Sequence, residues 1–146
     1  MKIIDAILHD AASIAAIRKD IHAHPELCFE EVRTADIVAA KLSEWGIPMH
    51  RGMGTTGVVS IVHGRDGGAC GRGVGLRADM DALPMQEFNT FAHASQHAGK
   101  MHACGHDGHT AVLLAAARHL AQDGHFDGTL HLIFSPPKRA RAGPCA

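Results

Sequence analysis

The sequence lacks an excess of one charge and lacks long apolar runs. Its 146 residues carry 14 Lys and Arg against 15 Asp and Glu, a formal net charge of -1. This balance gives no electrostatic basis for binding nucleic acid or an anionic membrane surface. No apolar stretch approaches the roughly 20 residues that span a bilayer. We therefore expect neither a nucleic-acid partner nor a membrane partner.

The sequence also shows no signal-peptide pattern and no closely paired cysteines. The opening MKIIDAILHD carries acidic residues and has no long apolar core, so it does not have the pattern of a secretion signal. We therefore expect a cytoplasmic protein, in which cysteines are thiols or metal ligands rather than disulfides. No C-x-x-C pair is present, so a structural zinc ribbon is not predicted. The four cysteines are Cys28, Cys70, Cys104 and Cys145.

Hydrophobic periodicity predicts helices and strands in a mixed order. In chain order the predicted elements are a helix over 3–23 with a break near 9–12, a helix over 34–45, strands over 58–62 and 74–81, a helix over 110–120, and a strand over 129–134. This order is typical of an α/β fold with a mostly parallel or mixed sheet flanked by helices. Only three or four strands are available to that sheet.

Two segments carry residues suited to chemistry. One is ADMDALP (78–84), at the end of a predicted strand, and the other is MHACGHDGHTA (101–111), leading into a helix. In an extended loop, Cys104 and His106 would point the same way and could share one metal ion. Asp107 and His109 are candidates to hold such ligands by hydrogen bonds. The positive end of the helix behind them favours a thiolate.

Other interpretations of these residues stay open. Cys104 could be a buried thiol, or a nucleophile activated by a histidine. Asp79 and Asp81 could be turn or capping residues, or an acid–base pair as in glycosidases. The coincidence of thiol, imidazole and carboxylate donors in two loops favours the metal site. We expect His22 and His24, which end the first helix, to be solvated or bonded to backbone.

Three segments resemble a known enzyme family. They are IRKDIHAHPELCFEEVRTA (17–35), GLRADMDALPMQE (75–87) and FAHASQHAGKMHACGHDGHTAVLLAAA (91–117). They are similar to the aminoacylase/carboxypeptidase family of metallopeptidases, in the branch of hippurate hydrolase, N-acyl-amino-acid amidohydrolases and auxin-conjugate hydrolases. The resemblance implies that residues 1–134 are the N-terminal part of a zinc-peptidase-like catalytic domain, with an incomplete sheet.

The resemblance also implies roles for single residues. Cys104 and His106 match the first two metal ligands, and Asp81 matches the acid that orients a ligand or the general base. Asp79 stands where other branches have a metal-binding histidine. The intact family uses two divalent ions (Zn, Mn, Ni or Co) and hydrolyses the amide bond of N-acyl amino acids. In the intact family, a smaller lid domain lies further along the sequence; it is missing here, and we expect a homodimer only where that domain is present.

The resemblance stops after the last predicted strand. There the branch continues Gln-Pro-Ala-Glu-Glu, which supplies the general base and a further ligand, whereas this chain has Lys138 and Arg139 at the two glutamate places. With suitable codons, a shift of one nucleotide restores the family motif. We therefore expect residues 135–146 to be a disordered, frameshifted tail, and the chain to be inactive or weakly active alone. A non-catalytic metal-binding or interaction module and a non-functional remnant are the alternatives.

Overall fold

The computed structural model describes residues 5–136, which form an α/β fold of three helices and four strands. The elements are α1 (Asp5–Ala23), α2 (Val32–Glu44), β1 (Met49–Met53), β2 (Gly57–His63), β3 (Gly73–Asp79), α3 (His106–Asp123) and β4 (Thr129–Ser135). The predicted fold class is confirmed. None of the helices in this part of the chain is both long enough and apolar enough to cross a bilayer.

The four strands make one mixed sheet in the order β1-β2-β4-β3. The β1–β2 and β2–β4 pairs are antiparallel, and β3 runs parallel to β4. Because parallel strands end at the same edge of a sheet, Asp79 at the end of β3 lies opposite Ser135 at the end of β4. The acidic segment that follows β3 therefore starts at this edge.

The core lies between one face of the sheet and the helices α2 and α3. Alternate residues of β4 (Leu130, Leu132 and Phe134) point into it, as the two-residue period of a strand requires. Leu42 of α2 and Leu114 of α3 meet them and are fully buried. Helix α1 packs mainly on α3, which brings the end of α1 beside the start of α3.

All three helices differ from their prediction. The break predicted near 9–12 is wrong, since α1 is continuous there: His9 is exposed, and Asp10 forms an ion pair with Arg118 of α3 at 3.0 Å. Helix α3 begins at His106, four residues before the predicted start at 110. Gly105 precedes it with a φ of 77°, a left-handed conformation that glycine adopts at little cost. Helix α2 covers 32–44 rather than 34–45.

The strands were predicted with one omission. Strand β1 was not predicted because MHRGM contains no β-branched residue, and its strand conformation comes from pairing with β2, for example Met49 with Ser60. Strand β3 ends at Asp79, two residues earlier than predicted. Residues 137–146 of the predicted tail lie outside the described residues, so the domain boundary at 134 stays a prediction.

Candidate metal centre

An aspartate just after β3 holds the first residue of α3. The Nδ1 atom of His106 lies 2.9 Å from Oδ1 of Asp81 and 2.9 Å from its carbonyl oxygen. Because both of these oxygens accept hydrogen bonds, the proton of a neutral His106 ring lies on Nδ1, and the lone pair of that ring is then on Nε2. Metal-binding histidines are commonly held in this way by a carboxylate or a carbonyl. In this arrangement, Nε2 of His106 is the ring atom available to bind a cation.

Cys104 lies in the turn just before that helix, and its side chain is exposed. The expectation that Cys104 and His106 share an extended loop is wrong, because Gly105 turns the chain and donates its N–H to the carbonyl of His102 at 3.2 Å. His106 is already helical. The relative position of Cys104 and His106 is therefore set by a turn and by the start of α3, and not by the alternation of side chains along an extended segment.

The donor set among residues 5–136 fits a metal ion only in part. It offers the oriented ring of His106 and the exposed thiol of Cys104, a nitrogen and a sulfur of the kind that Zn²⁺ prefers. Within these residues, no three His, Cys, Asp or Glu side chains form a group that could hold a metal ion. Any metal held here would need further ligands.

The two aspartates beside the site have different partners. Asp79 forms an ion pair with Arg77, and its carbonyl accepts a hydrogen bond from the Thr110 hydroxyl at 3.2 Å. Asp81 is buried and bonded to His106. Because each carboxylate is bonded to a different partner, the structure does not favour Asp79 and Asp81 as an acid–base pair of the glycosidase type. His109 is exposed, and its ring centroid lies 5.5 Å from that of His106.

A network of charged groups, buried except for its arginine, lies where α1 meets the start of α3. It consists of His22 and Arg18 of α1, Asp107 of α3 and Glu87, and we call it the His22 network. His22 Nδ1 lies 3.0 Å from Asp107 Oδ2, and His22 Nε2 lies 3.1 Å from Glu87 Oε1. The Nε atom of Arg18 donates to the same Asp107 oxygen at 3.1 Å.

The sequence interpretation missed this network. The expectation that His22 is solvated or bonded to backbone is wrong, because only 7% of the residue is exposed and both ring nitrogens face carboxylates. His24 does bond to backbone, with its Nδ1 at 2.9 Å from the carbonyl of Asp20. No local pattern marks His22, since its partners lie 65 and 85 positions away in the sequence.

Both carboxyl groups of the network are held in the ionised form. Burial works to raise the pKa of Glu87, but hydrogen bonds from Asn89, Ser95 and His22 bring it below its ordinary value. Burial also works to raise the pKa of Asp107, and hydrogen bonds led by His22 and the Gly108 N–H lower it. Two buried negative charges are therefore balanced by surrounding donors.

His102 lies beside this network and is neutral at ordinary pH. Burial lowers its pKa to about 4, against the opposing charge of Asp107. Its ring centroid is 6.2 Å from that of His22, and neither ring nitrogen has a hydrogen-bond partner among the described residues. His102 therefore adds a polar but uncharged group two residues before Cys104.

The segment that leads to Cys104 is irregular but well anchored. We call residues 84–105 the His-rich loop. Leu83 and Met101 pair in a short antiparallel bridge, with N–O distances of 2.9 and 3.0 Å. Gln96 N donates to the carbonyl of Ala23 at 2.8 Å, and Lys100 pairs with Glu30 at 3.1 Å. These contacts attach the loop to the end of α1 and the segment after it.

The chain matches a family of peptidases and two amidohydrolases. Residues 75–137 match the model described as peptidase family M20/M25/M40. The chain is 44% identical over 143 residues to the hippurate hydrolase of Campylobacter jejuni, covering 98% of this chain and 36% of that protein. It is 45% identical over 121 residues to the N-acyl-L-amino acid amidohydrolase of Geobacillus stearothermophilus, covering 83% of this chain and 31% of that protein.

A solved structure agrees with these sequence matches. The YXEP protein of Bacillus subtilis, described as a dinuclear metal-binding peptidase of the M20 family, superposes with a TM-score of 0.81 and 38% identity. The match covers 91% of this chain and 36% of that protein, so the chain spans about a third of the length of the proteins it matches. Residues 75–137, which include Asp81, Cys104 and His106, match the model of peptidase family M20/M25/M40, and the family resemblance predicted from the sequence is confirmed.

Proposed function

We propose that this chain carries part of the metal centre of an amidohydrolase that cleaves the amide bond of N-acyl amino acids. The supporting observation is the buried Asp81 carboxylate, which orients His106 so that its Nε2 lone pair is available to a cation. The names of the two relatives, hippurate hydrolase and N-acyl-L-amino acid amidohydrolase, supply the substrate class. The dinuclear neighbour supports a pair of divalent ions, for which Zn, Mn, Ni and Co are the candidates.

The proposed roles follow from the contacts. Divalent ions would polarise the substrate carbonyl and lower the pKa of a bound water. Asp81 keeps the His106 ring in one orientation and one tautomer. Cys104 lies just before the amino end of α3 and is exposed, so its sulfur is accessible to a cation. His106 and Cys104 are the metal ligands in this proposal, and Asp81 is the residue that orients them.

We further propose that the chain alone supports weak turnover at most. Catalytic metal sites usually use three or more protein ligands, whereas the described residues supply two. A base must also lie within hydrogen-bond reach of the attacking water, and the Asp81 carboxylate is already bonded to His106. We assign the residues up to Ser135, where β4 ends, to the catalytic domain, the residues after it to a tail, and the protein to the cytoplasm.

An assay with two matched thiol variants tests this proposal. The chain is incubated with hippurate and other N-acyl amino acids in the presence of Mn²⁺ or Zn²⁺, beside Cys104→Ala and Cys70→Ala. Both cysteines are exposed, but only Cys104 lies beside His106. We expect Cys104→Ala to weaken metal binding and Cys70→Ala to leave it unchanged, with hydrolysis by all three proteins near the background.

Three outcomes decide between the alternatives. Metal binding that is equal in the parent chain and in Cys104→Ala would contradict the proposed metal centre. Turnover clearly above that of Cys104→Ala would contradict weak activity but keep the function. The remaining ligands can also be supplied by the corresponding later part of a longer relative. Stoichiometric metal binding without any hydrolysis under that condition would favour a non-catalytic metal-binding module.

A further inference from the structure

We propose that His22 is a positioning residue that sets the relative placement of Cys104 and His106 by bridging two buried carboxylates, those of Asp107 and Glu87. This inference rests on the proposed metal centre and adds a residue that does not itself touch the metal. His22 is the last but one residue of α1. Its imidazole lies between the start of α3 and the His-rich loop.

The bridge uses both ring nitrogens of His22. Its Nδ1 lies 3.0 Å from Oδ2 of Asp107, and its Nε2 lies 3.1 Å from Oε1 of Glu87. With Arg18, which donates to the same Asp107 oxygen, two nitrogen-bearing side chains face the two carboxylates. These contacts make the burial of both carboxylates tolerable.

One end of the bridge fixes the helix that carries His106. Asp107 directly follows His106 in the first turn of α3, and its residue is 1% exposed. Its ties to His22 and Arg18 hold this turn against α1. The His106 ring projects from the same turn towards Asp81. A rotation of the helix start would therefore move the ligand.

The other end of the bridge fixes the loop that carries Cys104. Glu87 lies near the beginning of the His-rich loop and accepts the Ser95 N–H at 2.6 Å and the Asn89 amide at 2.8 Å. These bonds fold the first half of the loop around the Glu87 carboxylate. The loop ends at Cys104 and Gly105, so His22 joins the loop before Cys104 to the helix after it.

Loss of the bridge is expected to act on placement more than on overall stability. Without the imidazole, Asp107 keeps Arg18 and Glu87 keeps the donors of its own loop, so the side-chain link that His22 makes between the loop and the helix is lost and the two can shift relative to one another. Metal sites tolerate errors of only about 0.2 Å in their ligand distances. The main hydrophobic core lies elsewhere, between α2, α3 and the sheet, and stays intact.

The experiment uses the full chain and Co²⁺ as the probe. Binding is followed by the thiolate-to-Co²⁺ charge-transfer absorption, and stability by urea unfolding without metal. The test variants are His22→Gln and Glu87→Gln, the latter keeping the shape of the side chain and an acceptor for Ser95. His9→Gln is the matched control, because His9 is on the same helix and its side chain is 87% exposed. Leu42→Ala, in the core, is the control for general destabilisation.

We expect His22→Gln to weaken Co²⁺ binding by about tenfold or more and to shift the absorption band. Glu87→Gln should also weaken Co²⁺ binding, by a smaller factor. This second variant keeps the test valid if His22→Gln folds poorly. His9→Gln should match the parent chain. Leu42→Ala should unfold at lower urea while its folded molecules bind Co²⁺ normally.

The failure of this inference is distinguishable from the failure of the proposed function. If the parent chain shows the thiolate band and both network variants bind Co²⁺ as tightly, His22 has no positioning role and the metal centre stands. If Leu42→Ala loses Co²⁺ affinity as the network variants do, their effect is general destabilisation, which also overturns the inference. If the parent chain shows no thiolate band, the proposed metal centre fails and the inference fails with it.

Discussion

At the scale of single residues, Glu31 is an acid buried at an energetic cost. It lies just before α2, is 0% exposed, and accepts a hydrogen bond from the Thr56 hydroxyl at 2.7 Å. Burial raises its pKa most strongly, the Thr56 hydrogen bond opposes this, and the charge of Asp81 adds to the rise. The ionised form of Glu31 therefore opposes folding.

The sign of the pH dependence follows from this shift. A folded-state pKa above the unfolded value means that the folded protein holds the proton more tightly. The contribution of Glu31 to stability is fully present below its ordinary pKa of 4.5 and is lost as the pH rises through the raised value. Glu31→Gln, which cannot ionise, should therefore gain stability over the parent chain as the pH increases from about 4 to 7.

Urea unfolding at several pH values checks this prediction. Glu30→Gln is the matched control, because it removes the neighbouring carboxylate, whose side chain is 61% exposed. The difference in unfolding free energy between the parent chain and Glu31→Gln should change with pH in the stated direction. A constant difference across the range, or an equal trend in Glu30→Gln, would contradict the assigned burial cost.

Site residues could be predicted from the sequence only where they lie in a distinctive motif. Asp81, Cys104 and His106 were identified because they lie in two distinctive segments that resemble a family. His22 and Glu31 were not, because burial and partners far away in the sequence decide their states. Nothing in the local pattern around a histidine at a helix end predicts that it lies between two buried carboxylates.

At the scale of elements, the amino end of α2 is capped by a side chain from outside the helix. The residue before it, Glu31, makes no side-chain capping bond. Instead, Glu26 accepts the Arg33 N–H at 2.9 Å and the Thr34 N–H at 2.8 Å, together with the Thr34 hydroxyl at 2.9 Å. These bonds satisfy donors that the first turn of a helix leaves unpaired. A carboxylate there also complements the positive end of the helix.

Glu26→Ala should therefore destabilise the protein by about 1 kcal/mol, the typical loss for a helix cap. The amide hydrogens of Arg33 and Thr34 should exchange faster with solvent, because they lose their acceptor. Urea unfolding and hydrogen exchange measure the two effects. Ser43→Ala, an exposed position of the same helix, should change neither. Unchanged exchange at both amides in Glu26→Ala would show that the cap is not made in solution.

Element boundaries show what the sequence pattern could not supply. The strands β2 and β4 were predicted because β-branched and apolar residues mark them. The start of α3 was missed because HDGH has weak helix propensity, and the structure holds this turn by the contacts of His106 with Asp81 and of Asp107 with His22. Tertiary contacts thus overrule local propensity at the turn that carries the candidate ligand.

At the scale of the whole molecule, the two faces of the sheet are covered unequally. Helices α2 and α3 pack on one face, and α1 packs mainly on α3, so the described helices leave the other face open. Val59 and Ile133 pair directly across β2 and β4 on that open face and are half-buried. Paired apolar side chains on an open sheet face favour self-association.

The double variant Val59→Thr and Ile133→Thr should reduce self-association while retaining the fold. Threonine is β-branched and suits a strand, and the open face tolerates its hydroxyl. Val58→Thr is the matched control, because Val58 is the neighbour on the covered face and is 0% exposed. It should destabilise the protein by about 1–3 kcal/mol through a buried hydroxyl. Sedimentation velocity over a range of concentrations and urea unfolding measure the two properties. If the double variant lost as much stability as Val58→Thr, the second face would be packed in solution, and the unequal covering of the sheet would be refuted.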